Sequence, residues 1–161
     1  MAAIVPDYSS TQATKLKDVA FKPLKSNEQN GRVRCAYFDY TVPAGGIAAA
    51  KTIDLVKLPK GARYLNGFLY NDGATANAVL DVGVRAADGS DNIDGAGTGD
   101  DGDFLAAGIT ASATTGAFFS ASAPAQVGYE FQKELWVVAQ TRTAGIGAGK
   151  VIRGYVEFVT D

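Results

Sequence analysis

The stretch from Ala78 to Arg85 places apolar Ala78, Leu80, Val82 and Val84 at every second position, with charged Asp81 and Arg85 between and after them. Side chains of an extended strand point to opposite faces in turn. This spacing therefore builds a strand with Ala78, Leu80, Val82 and Val84 turned inward and Asp81 and Arg85 turned to water. Every strongly patterned segment of the chain has this period of two, and no sizeable helix is needed anywhere. A chain written this way has to bury sheet against sheet.

The other strands follow from the same reading. Arg32 to Thr41 is rich in aromatic and β-branched residues and stops at the breakers Pro43, Gly45 and Gly46. Ile47 to Leu58 sets Ile53 and Leu55 on one face and Thr52 and Asp54 on the other. Leu58-Pro59-Lys60-Gly61 suits a type I turn with proline second and glycine fourth. Arg63 to Tyr70 is a strand closed by the tight-turn signal Asn71-Asp72-Gly73. Phe104 to Ile109 and Ala117 to Ala121 are short apolar pieces that suit a strand or a helical turn equally. Tyr129 to Thr141 reads as one strand with Tyr129, Phe131, Leu135, Val137 and Ala139 on a shared face, interrupted by Lys133. Thr143 to Gly149 reads as a hairpin connection, and Lys150 to Thr160 turns Ile152, Val156 and Phe158 inward and Arg153 and Glu157 outward. Some eight short strands in 161 residues point to one all-β domain, an antiparallel β-sandwich or a small barrel. A jelly roll is the commonest such solution at this size.

Residues 1–31 lack a sustained period, so they are expected as an extended N-terminal arm ahead of a body at 32–161. From Lys15 to Arg34 the chain carries Lys15, Lys17, Lys22, Lys25, Arg32 and Arg34 against only Asp18 and Glu28. Such a segment is a solvated tail or a docking arm. Its Ile4, Val5, Tyr8, Leu16, Val19, Phe21 and Leu24 are too many for a purely solvating tail, which favours docking. The lysines Lys15, Lys17, Lys22 and Lys25 would speed encounter with an acidic partner, while Phe21 and Leu24 would anchor.

Composition removes most chemistry. The chain has no histidine and a single cysteine, Cys35. The usual general base, the Ser-His and Cys-His pairs and the commonest metal ligand are thereby missing together. Cys35 alone makes neither an internal disulfide nor a thiolate metal site. No catalytic residue, cofactor site or metal site is expected, and the chain is not read as an enzyme. Basic and acidic residues number 15 and 17, which gives no bias toward nucleic acid. No run reaches the ~20 apolar residues of a membrane helix, and the start lacks the basic region of a signal peptide. Synthesis and folding in a cytoplasm fit these features.

Three local clusters remain. The acidic loop at 88–103 holds Asp88, Asp91, Asp94, Asp100, Asp101 and Asp103 among glycines. It mimics part of a calcium loop, with Ser90, Asn92, Asp94 and Gly95 in sequence, but lacks the aspartate at the first place and the bidentate glutamate at the twelfth. A solvated, self-repelling loop is the favoured reading, and the adjacent Asp100 and Asp101 are not held at a catalytic separation. The Gly-rich Thr143 to Lys150 lacks the spacing and following helix of a phosphate loop. The rings of Tyr37, Phe38, Tyr40, Tyr64, Phe68 and Tyr70 fall on both faces of their strands. One face is core, and the other is a sheet contact, a subunit interface or a carbohydrate platform.

From Lys57 to Val84 the sequence KLPKGARYLNGFLYNDGATANAVLDVGV resembles a module of small virion proteins of tailed bacteriophages. The acidic linker at 88–103, Phe104 to Ala107 and the strand from Gly149 to Val159 follow in the same order, so the resemblance covers roughly residues 32–161. It implies a jelly-roll decoration, or cement, protein that binds the outside of a phage capsid and stabilises it. It also implies a major capsid protein and further copies of itself, as trimer or dimer, for partners, and a place on the virion surface after synthesis in the host cytoplasm. The alternative is a head- or tail-fibre module that recognises a host surface glycan or protein. The family carries no functional residue set to transfer.

Overall fold

A computed structural model describes residues 32–72, 79–88, 101–110, 117–119 and 128–160 of the chain. The arm at 1–31 and residues 89–100 of the acidic stretch lie outside them. The strands are β1 (Val33–Thr41), β2 (Thr52–Leu58), β3 (Arg63–Asn71), β4 (Val79–Ala86), β5 (Asp101–Thr110), β6 (Ala117–Phe119), β7 (Leu135–Thr141) and β8 (Val151–Val159), with no helix among the described residues. The first pairs with the last, the second with the second last, and so inward to β4 with β5, every pair antiparallel. Contacts of β3 with β8 and of β4 with β7 then roll this long folded ribbon into two four-stranded sheets, β1-β8-β3-β6 and β2-β7-β4-β5. The fold is an antiparallel jelly roll, with two sheets facing across one core.

That core is supplied by alternation. Ile53, Leu58, Tyr64, Leu69, Leu80, Val82, Val84, Leu105, Phe131, Leu135, Val137, Ile152, Val156 and Phe158 are all buried in it. Each such aliphatic or aromatic side chain stabilises the fold by roughly 1.5–3 kcal/mol. Among the described residues the buried apolar set runs from Phe38 to Val159. Tyr64 is fully buried, and burial pushes its phenol well above the usual range.

The structure corrects several expectations, each for a local reason. Pro59 is first rather than second in its turn, because the Ala62 amide donates to the Pro59 carbonyl at 3.2 Å. Gly61 then sits third with φ of 83°, the left-handed value that a type II turn requires. The alternation in β2 breaks at a bulge between Asp54 and Val56, which leaves Leu55 only half-buried. Tyr129–Glu134 is not part of β7. There the backbone hooks onto the Pro59 corner, with the Gly61 amide donating to Phe131 and the Phe131 amide to Ala62. Thr143–Gly149 carries the chain from one sheet to the other and is not a hairpin, since β7 and β8 lie in different sheets; the turn signal at Asn71-Asp72-Gly73 runs into residues outside the described ones. Phe104 to Ile109 resolves as strand, and β5 begins at Asp101, so residues 101–103 of the acidic stretch pair in the sheet instead of looping.

Asp81 is the most informative correction. It is only 4% exposed, not turned to water. The pairing of β5 with β4 slips twice, and Gly108 takes a φ of 74° at one of these slips. Asp81 fills that irregularity: its Oδ1 accepts the Gly108 amide at 2.8 Å and its Oδ2 pairs with Arg142 Nε at 2.9 Å. A bulge frees an amide from the ladder, and an acceptor from the neighbouring strand satisfies it.

Candidate functional site: an aromatic groove on one sheet

Register decides which side chains of β1, β8 and β3 meet on the outer face of their sheet. Tyr37 lies opposite Tyr155, Tyr155 opposite Phe68, and the backbone of β6 brings Phe118 into line with Phe68. The Tyr37 and Tyr155 rings meet edge to face, with centroids 6.1 Å apart at 63°. Tyr155 and Phe68 stack at 6.0 Å and 21°. Cross-strand aromatic pairs of this kind hold a row rigid.

Polar rows border the rings on both sides. One holds Asp39, Arg153 and Tyr70, with Arg153 Nη2 and Asp39 Oδ2 3.7 Å apart. The other holds Cys35, Glu157 and Asn66, where Asn66 Nδ2 donates to Glu157 Oε2 at 2.7 Å. Around the rings and the first of these rows runs an open groove of about 720 Å³ lined by Tyr37, Phe38, Asp39, Phe68, Tyr70, Arg153, Gly154 and Tyr155. Gly154 is required at its floor. A Cβ there would collide with the Phe68 carbonyl oxygen and come within 2.8 Å of Phe38 Cζ.

The groove is open to solvent. Tyr37 is 78% exposed and Val33, on the same face of β1, is 60% exposed. A side-chain hydrogen bond with Cys35 raises the Tyr37 phenol above its ordinary pKa. The exposed Cys35 thiol is free, and with no histidine in the chain it has no imidazole to activate it. Among the described residues no group of three or more potential metal-ligating side chains assembles. Such a surface can bury apolar groups or stack planar ones.

The outer face of the opposite sheet is built differently. Arg85 grips Asp54 with two hydrogen bonds, of 2.8 and 2.5 Å, and its guanidinium lies 6.0 Å from the Trp136 ring centroid. Lys57 pairs with Glu134 at 2.7 Å.

Of the residues expected to bind, Lys15, Lys17, Phe21, Lys22, Leu24 and Lys25 lie outside the described residues, as do Asp94 and Asp100. Among the rings, Tyr64 and Phe38 join the core, Tyr40 and Tyr70 are half-buried, and Tyr37 and Phe68 line the groove. Tyr155 was the ring missing from that set. It stands between Arg153 and Glu157, both read as outward, and the same alternation places it with them.

No protein-family model matches the sequence, and a search of curated proteins gives no match. Among solved structures, the chain is similar to one in the capsid of Ralstonia phage GP4, with 22% identity and a TM-score of 0.65 over 89% of this chain and 92% of that one. It is also similar to a chain of the Cyanophage Pam1 capsid asymmetric unit, with 19% identity and a TM-score of 0.59 over 98% of this chain and 100% of that one. At these identities the likeness is one of fold.

Proposed function

We propose that the chain is a structural protein of a phage particle that binds the outside of the capsid and stabilises it. The observation that carries this reading is the likeness, over nearly the whole of both partners, to chains of the same size in two phage capsid structures. The surface chemistry supports it. A rigid sheet that exposes Tyr37 beside half-buried Tyr155 and Phe68 is suited to protein contact, and the role needs no reaction. The major capsid protein and further copies of this chain, as trimer or dimer, are the partners in this reading, and symmetry repeats each contact. Lys15, Lys17, Phe21, Lys22, Leu24 and Lys25 of the arm contact the shell or a neighbouring subunit. Many weak contacts then act together, because tethered copies rebind at high local concentration.

The test is sedimentation of the purified protein with emptied, expanded shells of its phage, together with the temperature at which those shells rupture. Saturable binding and a raised rupture temperature are expected. Absence of binding would overturn the proposal. A fibre module is the second reading, favoured by the rings of Tyr37 and Tyr155 beside Asp39 and Arg153, a combination that also suits a sugar ring. Binding of soluble host saccharides, with none to shells, would select it.

A further inference from the structure

We infer that two copies of this chain join edge to edge through β1, antiparallel about a two-fold axis that passes beside Tyr37. The inference deepens the reading of further copies as partners but needs no shell, and its test uses the protein alone. Four strands end the two sheets, β1 and β6 in one and β2 and β5 in the other. An end strand presents a row of unpaired amides and carbonyls, and folded proteins blunt such rows with bulges, short length or an exposed lysine. Three of these four strands are blunted. β6 has three residues, β5 slips twice against β4, and β2 carries a bulge after Asp54 as well as exposed Lys57. β1 is the exception. It keeps an unbroken register with β8 over nine residues, from Val33 opposite Val159 to Thr41 opposite Val151, and contains neither proline nor lysine.

The ladder fixes where the free groups of β1 point. Just past the strand, the Val42 amide donates to the Lys150 carbonyl at 2.8 Å, so the Val42 backbone faces β8. Residues of an antiparallel strand turn amide and carbonyl alternately to one side and the other. With no slip in the register, Val33, Cys35, Tyr37, Asp39 and Thr41 turn theirs away from β8, where no described strand pairs with them. Val33 and Tyr37, 60% and 78% exposed, are also the exposed large apolar residues among those described. The strand is complementary to itself. Tyr37 is its midpoint, so the register that pairs all nine residues sets Tyr37 opposite Tyr37 of the second copy. Cys35 then faces Asp39, Val33 faces Thr41 and Arg34 faces Tyr40, and no like charges are opposed. Outward amides and carbonyls meet their own kind of row, and the rings of Phe68, Tyr155 and Tyr37 continue into their two-fold image. Such an isologous contact makes each interaction twice and closes at two copies.

Sedimentation equilibrium of the full chain over a concentration series should show monomer passing to dimer. Cys35→Pro removes an amide that points off the edge and leaves the β8 ladder whole. Each copy loses one hydrogen bond to the other, so the dissociation constant should rise about tenfold or more, while a melt confirms that the body is folded. With Cys35 in place, Asp39→Cys sets two thiols opposite each other across the axis, their Cα atoms about 5.5 Å apart and within disulfide reach. Mild oxidation should then give a covalent dimer in which peptide mapping finds position 35 of one copy joined to position 39 of the other. On a single strand these positions are about 13 Å apart and do not join. A monomer mass up to about 100 μM, or a trimer mass, would overturn the inference. So would a dimer that Cys35→Pro leaves as strong, or oxidation that joins position 35 only to 35 and 39 only to 39.

Discussion

Across β2-β7-β4 the outward side chains are tied to one another, Arg85 to Asp54 and Trp136, and Lys57 to Glu134. Across β1-β8-β3 the middle of the outer face is a row of rings instead, with Tyr37 left 78% exposed. The two faces belong to one ribbon and share one core, so folding alone does not require them to differ. Exposed ion pairs contribute about 0–1 kcal/mol each, and they keep a face polar and soluble. Exposed rings do the opposite. They hold apolar area that yields roughly 25 cal/mol for each Å² a partner covers. The two faces therefore differ in the apolar area that each leaves to be covered.

The sharpest way to break the comparison is beneath the rings. Gly154→Val puts atoms where the Phe68 carbonyl and Phe38 ring already are, and a cost of about 3 kcal/mol or more in a urea melt is expected. On the other sheet, Asp81→Ala strips the Gly108 amide and Arg142 of their acceptor, and a loss of about 1–3 kcal/mol is expected by the same melt. Between the faces, Tyr64 holds its proton more tightly folded than unfolded. The stability it lends is whole below the unfolded value of about 10 and declines as pH rises beyond it. Melts taken from pH 9 upward should fall less steeply in Tyr64→Phe, in ~pH units set by that ordinary tyrosine value. Arg85→Ala removes an exposed pair and a cation–π contact, for about 1 kcal/mol or less in the same urea melt. Tyr37→Ser, smallest of all in stability, should shift the melt by no more than about 0.5 kcal/mol.

Much of this was legible in the sequence wherever alternation was undisturbed. Ile152, Val156 and Phe158 lie inward and Arg153 outward as spacing requires. Failures fall where the ladder is irregular. Asp81 was misplaced because the slip in β5 that exposes the Gly108 amide leaves no mark in the spacing of β4. Thr143–Gly149 looks like a hairpin loop because glycine permits tight turns and sheet crossings alike. Only pairing partners far along the chain, such as Ile47 with Ile146, distinguish the two. The groove was half legible. Its rings stand in the sequence, but their alignment is a matter of register among three strands, and no single strand contains it.

The most direct measurement compares binding to shells by two full-length double variants, Tyr37→Ser with Tyr155→Ser, and Lys57→Ala with Arg85→Ala. Co-sedimentation gives the affinity of each, and melts confirm that both are folded. If the aromatic face is the contact surface, the first pair weakens binding about tenfold or more, the loss of one anchor of ordinary strength, while the second binds as the natural chain does. Undiminished binding by the ring variant, with loss in the Lys57 and Arg85 variant, would contradict it and turn the molecule over on its shell.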